Sequence, residues 1–481
     1  MRNALVLTIL LATLPASAQL RTELKMPGPP APPEPAVSTS APGSGATVRL
    51  GLRDAVERAL QVDPQTLTAV VNRQRSELAV LRAQLDRFSL KVDASLTEQW
   101  QAVNFLSTIK STSLFSSEFS QGFSGSVGAA ANLQVPLFSG FKVSANISRA
   151  RHLREAAVAT QKATARTVAL DMLRNYWAVR RVELQRGVSA QALGRYEEAV
   201  AVVSSRVRAG LAPPVDANRI ETRRQRERAR LAGLEGTARE GRAQLAVALG
   251  YGGADLELTE GAEVPPPPPA GPGEVDRLLR AAIDARPELH AAKRQTLAAD
   301  AQVRMARSGY YPQLTAVGSL AYGNGSGSYG SYACQFLNDC NWNPFKNLSG
   351  SAFVGATLSI NLFDTMNTKT QVRDAEYEVA RLRQEERRLG RLVEADVRTA
   401  HARLQRLYAS REPLLKTREL AKDTLDIIER RYRNGEALIL DLLDAQFELL
   451  NAEIELADSA AAIAQTWGEL WAATGRIPGA Q

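Results

Sequence analysis

The chain carries one unit twice. Leu137-Phe138-Ser139-Gly140 returns as Leu362-Phe363-Asp364-Thr365, and Arg206-Val207-Arg208-Ala209-Gly210 returns as Arg431-Tyr432-Arg433-Asn434-Gly435, both at an offset of 225 residues. Asp216 returns as Asp441 at the same offset, and Ala59–Pro64 matches Ala282–Pro287 at an offset of 223. Chance supplies one such match between helical segments but not several in register, so the fold must be built from two equivalent blocks. A Pro run, Val264–Pro269, lies near the middle of the chain. It reads as a stiff linker over 264–273, with the first repeat at 48–263, the second at 274–475 and a short tail at 476–481.

Each repeat contains a breaker-poor stretch of about 68 residues, from the Leu-Phe pair to the conserved-register Gly. At 1.5 Å per residue this predicts a helix of roughly 100 Å. In the second copy Val372, Ala375, Val379, Leu382, Leu389, Val393, Val397, Ala400, Leu404, Leu407, Leu414, Ala421, Leu425, Ile428 and Tyr432 form an apolar seam. Their spacings of three, four and seven are those of coiled-coil packing. A return helix follows each tip, at 216–249 and 441–474, about half as long as its partner. The remaining half of each long helix is expected to pack against the helices that precede the strands, near 65–88 and 288–308. Pro413 falls inside the second long helix, where a bend and simple tolerance are both open readings.

Strict alternation marks four strands, at 90–100, 125–138, 313–322 and 352–362. Val127, Ala129, Ala131, Leu133, Val135 and Leu137 alternate with small or polar residues, and Val354, Ala356, Leu358, Ile360 and Leu362 do so in the same phase. A soluble sheet shows the same pattern. Joined to export, it fits an outer-membrane barrel with a wet lumen. Four strands cannot close a barrel, so sister copies must remove the open edges, and two or three copies both give an even count. Phe138, Phe141 and Phe363 stand where strands give way to helices, as membrane-interface aromatics or as ordinary core.

Export is read from the N-terminus. Met1-Arg2-Asn3 is a basic start, Ala4–Leu14 is apolar but shorter than the about 20 residues a spanning helix needs, and Pro15-Ala16-Ser17-Ala18 ends in a small-x-small cleavage pattern. This predicts a signal peptide at 1–18 and a Pro-rich disordered leader at 19–47. In an oxidising compartment Cys334 and Cys340 are read as a disulfide in preference to free thiols. The formal charge of +8 would invite a nucleic-acid reading, but the Arg of residues 219–242 surround a helix and alternate with Glu221, Glu227 and Glu235, as a solvated face does. Three His without ligand spacing leave no metal site or cofactor to expect, and no nucleophile elbow, phosphate loop or paired-carboxylate arrangement suggests an enzyme.

Together these features resemble the TolC-like outer-membrane factor (outer membrane efflux protein) family, over nearly the whole chain from Val48 to Gly475. The resemblance rests on the tandem repeat, the junctions VPLFSGF and INLFDTM, and the tip motifs RVRAGLAPPVDANR and RYRNGEALILDLLDAQ. It implies a mainly α fold with a membrane β part: tandem long helical hairpins forming an α-barrel, and four strands per protomer in a shared 12-stranded trimeric β-barrel. It also implies a homotrimer in outer-membrane lipid, reaching into the periplasm. Its partners would be a periplasmic adaptor (membrane fusion protein) and an inner-membrane pump or ABC transporter, with no nucleic acid.

By the same resemblance Asp441 and Asp444 would ring the entrance as a cation-selecting constriction, although Asp441 also suits a helix N-cap. Asp216 and Tyr432 would belong to a tip latch. The family pattern places an Arg two residues after the second tip Gly; here Ala437 stands there, which leaves Arg431 or Arg433 as replacements. Gly210, Leu211, Ala212, Gly435, Glu436 and Ala437 would form the adaptor surface. The expected function is the exit duct of a tripartite efflux pump. The alternatives are the exit duct of a type I protein secretion system and a periplasmic coiled-coil scaffold without a pore.

Overall fold

The structure, a computed structural model, describes residues 47–87, 89–101, 121–252, 254–259, 264–268, 273–323, 332–334 and 349–477. The expected signal peptide, the leader up to residue 46, Cys340 and the Cys334 side chain lie outside that set. In chain order the elements are β1 (Thr47–Leu50), α1 (Leu52–Val62), α2 (Pro64–Leu85), β2 (Ser89–Gln101), β3 (Gln121–Ser139), α3 (Lys142–Arg208), α4 (Pro214–Ala248) and β4 (Asp255–Leu258). The second repeat supplies α5 (Glu274–Ala285), α6 (Pro287–Arg307), β5 (Gln313–Gly323), the short β6 (Tyr332–Cys334), β7 (Ser349–Ser359), α7 (Asn367–Asn434) and α8 (Ile439–Ala473). Among the described residues no helix is long and apolar enough to cross a membrane.

The duplication extends to backbone conformation. Gly140 and Phe141 (φ 58° and 68°) and their mates Thr365 and Met366 (φ 50° and 65°) turn the chain from strand to helix through two consecutive left-handed residues. Ser139 Oγ accepts the Val143 N–H at 3.3 Å, and its mate Asp364 Oδ2 accepts the Thr368 N–H at 2.8 Å. A side chain at Gly140 would meet the Ser308 carbonyl oxygen at 2.8 Å, so that glycine is required for space as well as for φ. Strand β7 ends at Ser359, and Ile360 and Leu362, expected in the strand, fall beyond it, whereas β3 runs up to Ser139 beside its turn. Helix C-termini obey the same symmetry. At Gly210, Gly250, Gly435 and Gly475, all at positive φ, the glycine N–H bonds three residues back and the next N–H five back, the Schellman arrangement.

The chain divides into two compact units, with each long helix contributing to both. The unit of residues 79–156 and 292–386 holds an antiparallel sheet of order β2-β3-β5-β7, with β6 beside the far end of β3. Register aligns Leu133 with Gly318 and Gly318 with Val354 on one face, and Asn132 with Ser319 and Ser319 with Phe353 on the other. Pro136 sits at a β3 irregularity, where its missing N–H is tolerated. Beside the sheet, α2 packs on α3 through Ala83, Ile147 and Ala150, and α6 packs on α7 through Ala299, Val303, Ala375 and Val379. These are the partners expected for those halves of the long helices.

Among the described residues, the unit of residues 1–78, 157–291 and 387–481 holds helices and one parallel strand pair, β1 with β4, which aligns Thr47 with Asp255. Four-residue strands have no legible alternation, and Thr47, expected in the leader, is the first residue of β1 instead. Leu50, Leu256 and Leu258 cover a core of Val56, Leu173, Tyr176, Leu245 and Leu249. Every residue of the α7 seam is buried or half-buried, as its spacing requires. Helix α7 continues through Pro413, whose carbonyl accepts the Thr417 hydroxyl at 3.0 Å.

Arginines tie the repeats together. Arg174 reaches Glu469, Arg181 reaches Asp458 and Arg195 reaches Glu453, all from α3 to α8. At the end of α8, Arg166 Nη1 donates to the Ala472 carbonyl at 3.1 Å and Arg286 Nε to that of Ala473 at 2.8 Å. The Ala472 carbonyl already accepts the Gly475 N–H, so Arg166 adds a second donor there, whereas Arg286 serves a carbonyl at the negative end of the helix. Burial, and then the charge of Arg286, pull Arg166 down to about 10, with Asp396 opposing.

Candidate functional site: the helix tips

The tips lie where α3 turns into α4 and α7 into α8. Arg206 holds both turns. Its Nη1 donates to the Arg433 carbonyl at 2.7 Å and its Nη2 to the Leu211 carbonyl at 3.4 Å, while its guanidinium lies 5.3 Å from the centre of the Tyr432 ring. Beneath it Tyr196, Val203, Ile220, Leu425, Ile439, Leu442 and Leu443 form a shared core of four helix ends. Sequence reading passed over Arg206; its signal was its place as the repeat mate of Arg431.

Asp216 and Tyr432 are both buried, and the carboxylate acts on the phenol through space. Burial first, and then Asp216, push the Tyr432 hydroxyl above its ordinary pKa, with Arg206 opposing. No hydrogen bond joins them: the Tyr432 hydroxyl has no partner among the described residues, and Asp216 faces Arg219 at 3.6 Å. Arg431 and Arg433 are exposed, and Arg433 lies 3.8 Å from Glu429 on its own helix. The four expected latch residues therefore form no mutual hydrogen bond within one protomer.

Asp441 is not the N-cap of α8. Leu438 holds that position, and Asp441, three residues on, accepts the Leu438 N–H at 3.1 Å, supporting the helix start from inside the first turn. Asp441 and Asp444 are both exposed, one turn apart, while Leu442 and Leu443 between them are buried. That alternation directs two carboxylates outward from the tip core. Asp216, the repeat mate of Asp441, is buried instead.

Of the expected adaptor surface, Gly210, Leu211, Gly435 and Glu436 are exposed, Leu211 at 67%, whereas Ala212 and Ala437 are half-buried and Ala437 packs on the tip core. In the sheet unit Phe138, Phe141 and Phe363 are all exposed, Phe363 at 84%, so they are not core residues of the protomer. Phe138 meets Phe141 edge-on at 5.4 Å, and Phe141 meets Tyr311 at 5.7 Å.

The family model described as outer membrane efflux protein matches residues 55–251 and 278–476, once for each repeat. The chain belongs to the outer membrane efflux protein family. Among family relatives, nodulation protein T of Rhizobium leguminosarum bv. trifolii is 25% identical over 307 residues, 63% of this chain and 61% of that protein. Outer membrane protein TolC of Escherichia coli (strain K12) is 27% identical over 193 residues, 39% of this chain and 37% of that one. The matched stretches thus span less than two thirds of either relative. The outer membrane protein VceC of Vibrio cholerae shares the fold, with a TM-score of 0.69 at 20% identity over 88% of this chain and 96% of that one. The fold of this chain is mainly helical and built on a tandem repeat.

Proposed function

We propose that this outer membrane efflux protein is the trimeric exit duct of a tripartite pump. Substrate delivered by an inner-membrane pump through a periplasmic adaptor enters at the tips, passes Asp441 and Asp444, and leaves passively through a barrel shared by three chains. The energy comes from the pump. One observation carries the reading: the sheet exposes Leu133, Leu320, Val354 and Leu358 on a single face, Val354 at 89%, and each of its outer strands, β2 and β7, has one strand neighbour among the described residues. Water disfavours such a face by about 25 cal/mol per Å² of apolar area, and free edges invite pairing with another chain. Lipid against the face and sister strands at the edges answer both demands. A periplasmic scaffold accounts for the helices but leaves that face without an occupant.

Heat-resistant trimers in the outer-membrane fraction, with cation-selective conductance in planar bilayers, are the expected result. A monomer in the soluble periplasmic fraction would end this reading. A type I secretion duct uses the same architecture, and co-purification of the inner-membrane partner after crosslinking at residues 210–213 separates the two.

A further inference from the structure

The Pro-rich linker between the repeats is held, not merely strung. In the helical unit the Tyr408 hydroxyl, on α7, donates to the Pro265 carbonyl and lies 3.2 Å from that of Pro266, and Trp467 Nε1, on α8, donates to Tyr408 Oη at 2.9 Å. Val264 packs beside Tyr408 and Trp467 on the core around Leu404, and Pro268 is buried. Trp471, its ring centre 6.0 Å from that of Trp467, continues the aromatic surface toward solvent at 41% exposure. The first repeat is built differently at these positions. At the 225 offset the mates of Tyr408 and Trp467 are Glu183 and Arg242, an ion pair at 4.0 Å, and the mate of Trp471 is the buried Ala246. The repeat that the linker crosses thus has donating aromatic rings where its mate has a salt bridge.

The chemistry of proline explains that choice. Each of residues 264–268 precedes a proline, which favours extended or polyproline II backbone, and proline has no N–H, so the segment presents carbonyls and ring carbons and cannot donate to a sheet ladder. What it can use is a flat apolar surface with fixed donors, the chemistry of aromatic grooves that read Pro-rich segments. We propose that Tyr408, Trp467 and Trp471 form a polyproline-recognition site whose resident ligand is the chain's own linker, Val264–Pro268. The stiffness of the linker lowers the entropy lost on docking. Its capture delivers the chain to α5, where Leu278 packs on the same core, so the second repeat starts from a recognised contact as well as from a covalent connection. Because the site reads chemistry and not connectivity, a detached segment of the same sequence occupies it when the linker cannot.

Binding in trans tests this on the full chain. The probe is a fluorescein-labelled peptide with the sequence of Val264–Pro269, followed by anisotropy. A chain carrying Pro265→Gly, Pro266→Ser, Pro267→Gly and Pro268→Ser should bind it saturably. Wild type, whose site is filled at an effective concentration of about 1 mM, should bind it about tenfold more weakly or not at all. In the linker variant, Tyr408→Phe keeps the ring but removes the donor, and should weaken the peptide about two- to tenfold. Glu183→Gln, at the mate position, should change nothing, and a Gly-Ser peptide of equal length should not bind. Should the linker variant fail to fold, Pro265→Ala with Pro266→Ala loosens the linker more gently, and peptide binding above that of wild type is again expected. Folded linker variants that take up no peptide, or take it up equally with and without Tyr408→Phe, would overturn the site. The duct reading depends on neither result.

Discussion

Arg181 grips Asp458 with two parallel bonds, Nε to Oδ1 at 2.8 Å and Nη2 to Oδ2 at 2.7 Å, and so fastens the long helix of the first repeat to the return helix of the second. Gln185 adds a third donor to Oδ1 at 2.7 Å. Paired arms of this kind carry more directional strength than single surface contacts.

Acid should undo that grip. Burial alone would raise the Asp458 pKa, but its bonds from Arg181 and Gln185 prevail and hold it below the ordinary carboxylate value of 3.8. A depressed pKa adds stability that is complete above the unfolded-state pKa and is lost as pH falls through the folded one. Thermal unfolding should therefore show a destabilisation below about pH 4 that Asp458→Asn reduces. Equal slopes in wild type and variant would remove Asp458 from the acid response.

Gly468 is a second prediction. A Cβ there would run into Leu173 Cδ1, a buried side chain of α3. Gly468→Ala should cost about 1–3 kcal/mol by overpacking, despite the better helix propensity of Ala. Chemical denaturation measures it, and a stabilised variant would contradict the close approach.

Thr365 offers the opposite sign. It holds φ 50°, a left-handed value that its repeat mate Gly140 adopts without strain. Thr365→Gly should relieve about 1 kcal/mol, visible as slower unfolding. An unchanged or faster rate would mean that the Thr365 side chain compensates for its backbone.

The tip carboxylates are tested by selectivity. Replacing Asp441 and Asp444 together by Asn should lower the cation-to-anion permeability ratio several-fold at low salt, since the field of exposed charges is screened over about 10 Å at 0.1 M. Asp441→Asn alone should also weaken the start of α8 by about 0.5–1 kcal/mol, because Leu438 N–H would lose a charged acceptor. Unaltered selectivity in the double variant would take both residues out of the pore.

Much of this fold was legible in advance because its signals are local and repeated. The seam from Val372 to Tyr432 is a periodicity, the four strands are an alternation, and the tips end at Gly210 and Gly435, each obeying rules that act within a few residues. The β1–β4 pair escaped notice because four residues cannot display a period, and its strands lie about two hundred positions apart. The end of β7 was overrun for a related reason: Ile360 and Leu362 keep the alternation of the strand, but its partner β5 begins at Gln313, opposite Ser359, and offers them no residue to pair with.

The amino-acid order by itself determined the duplication, the helix lengths and the family, all of which depend on spacing along one dimension. Tertiary structure alone decided that within one chain Arg206, and not Arg431, reaches the other tip, that Asp216 is buried while Asp441 is exposed, and that Leu438 caps α8. The physical reason is that mates in a repeat share local chemistry but not surroundings. Which copy of a residue finds a partner depends on what the other half of the chain places beside it.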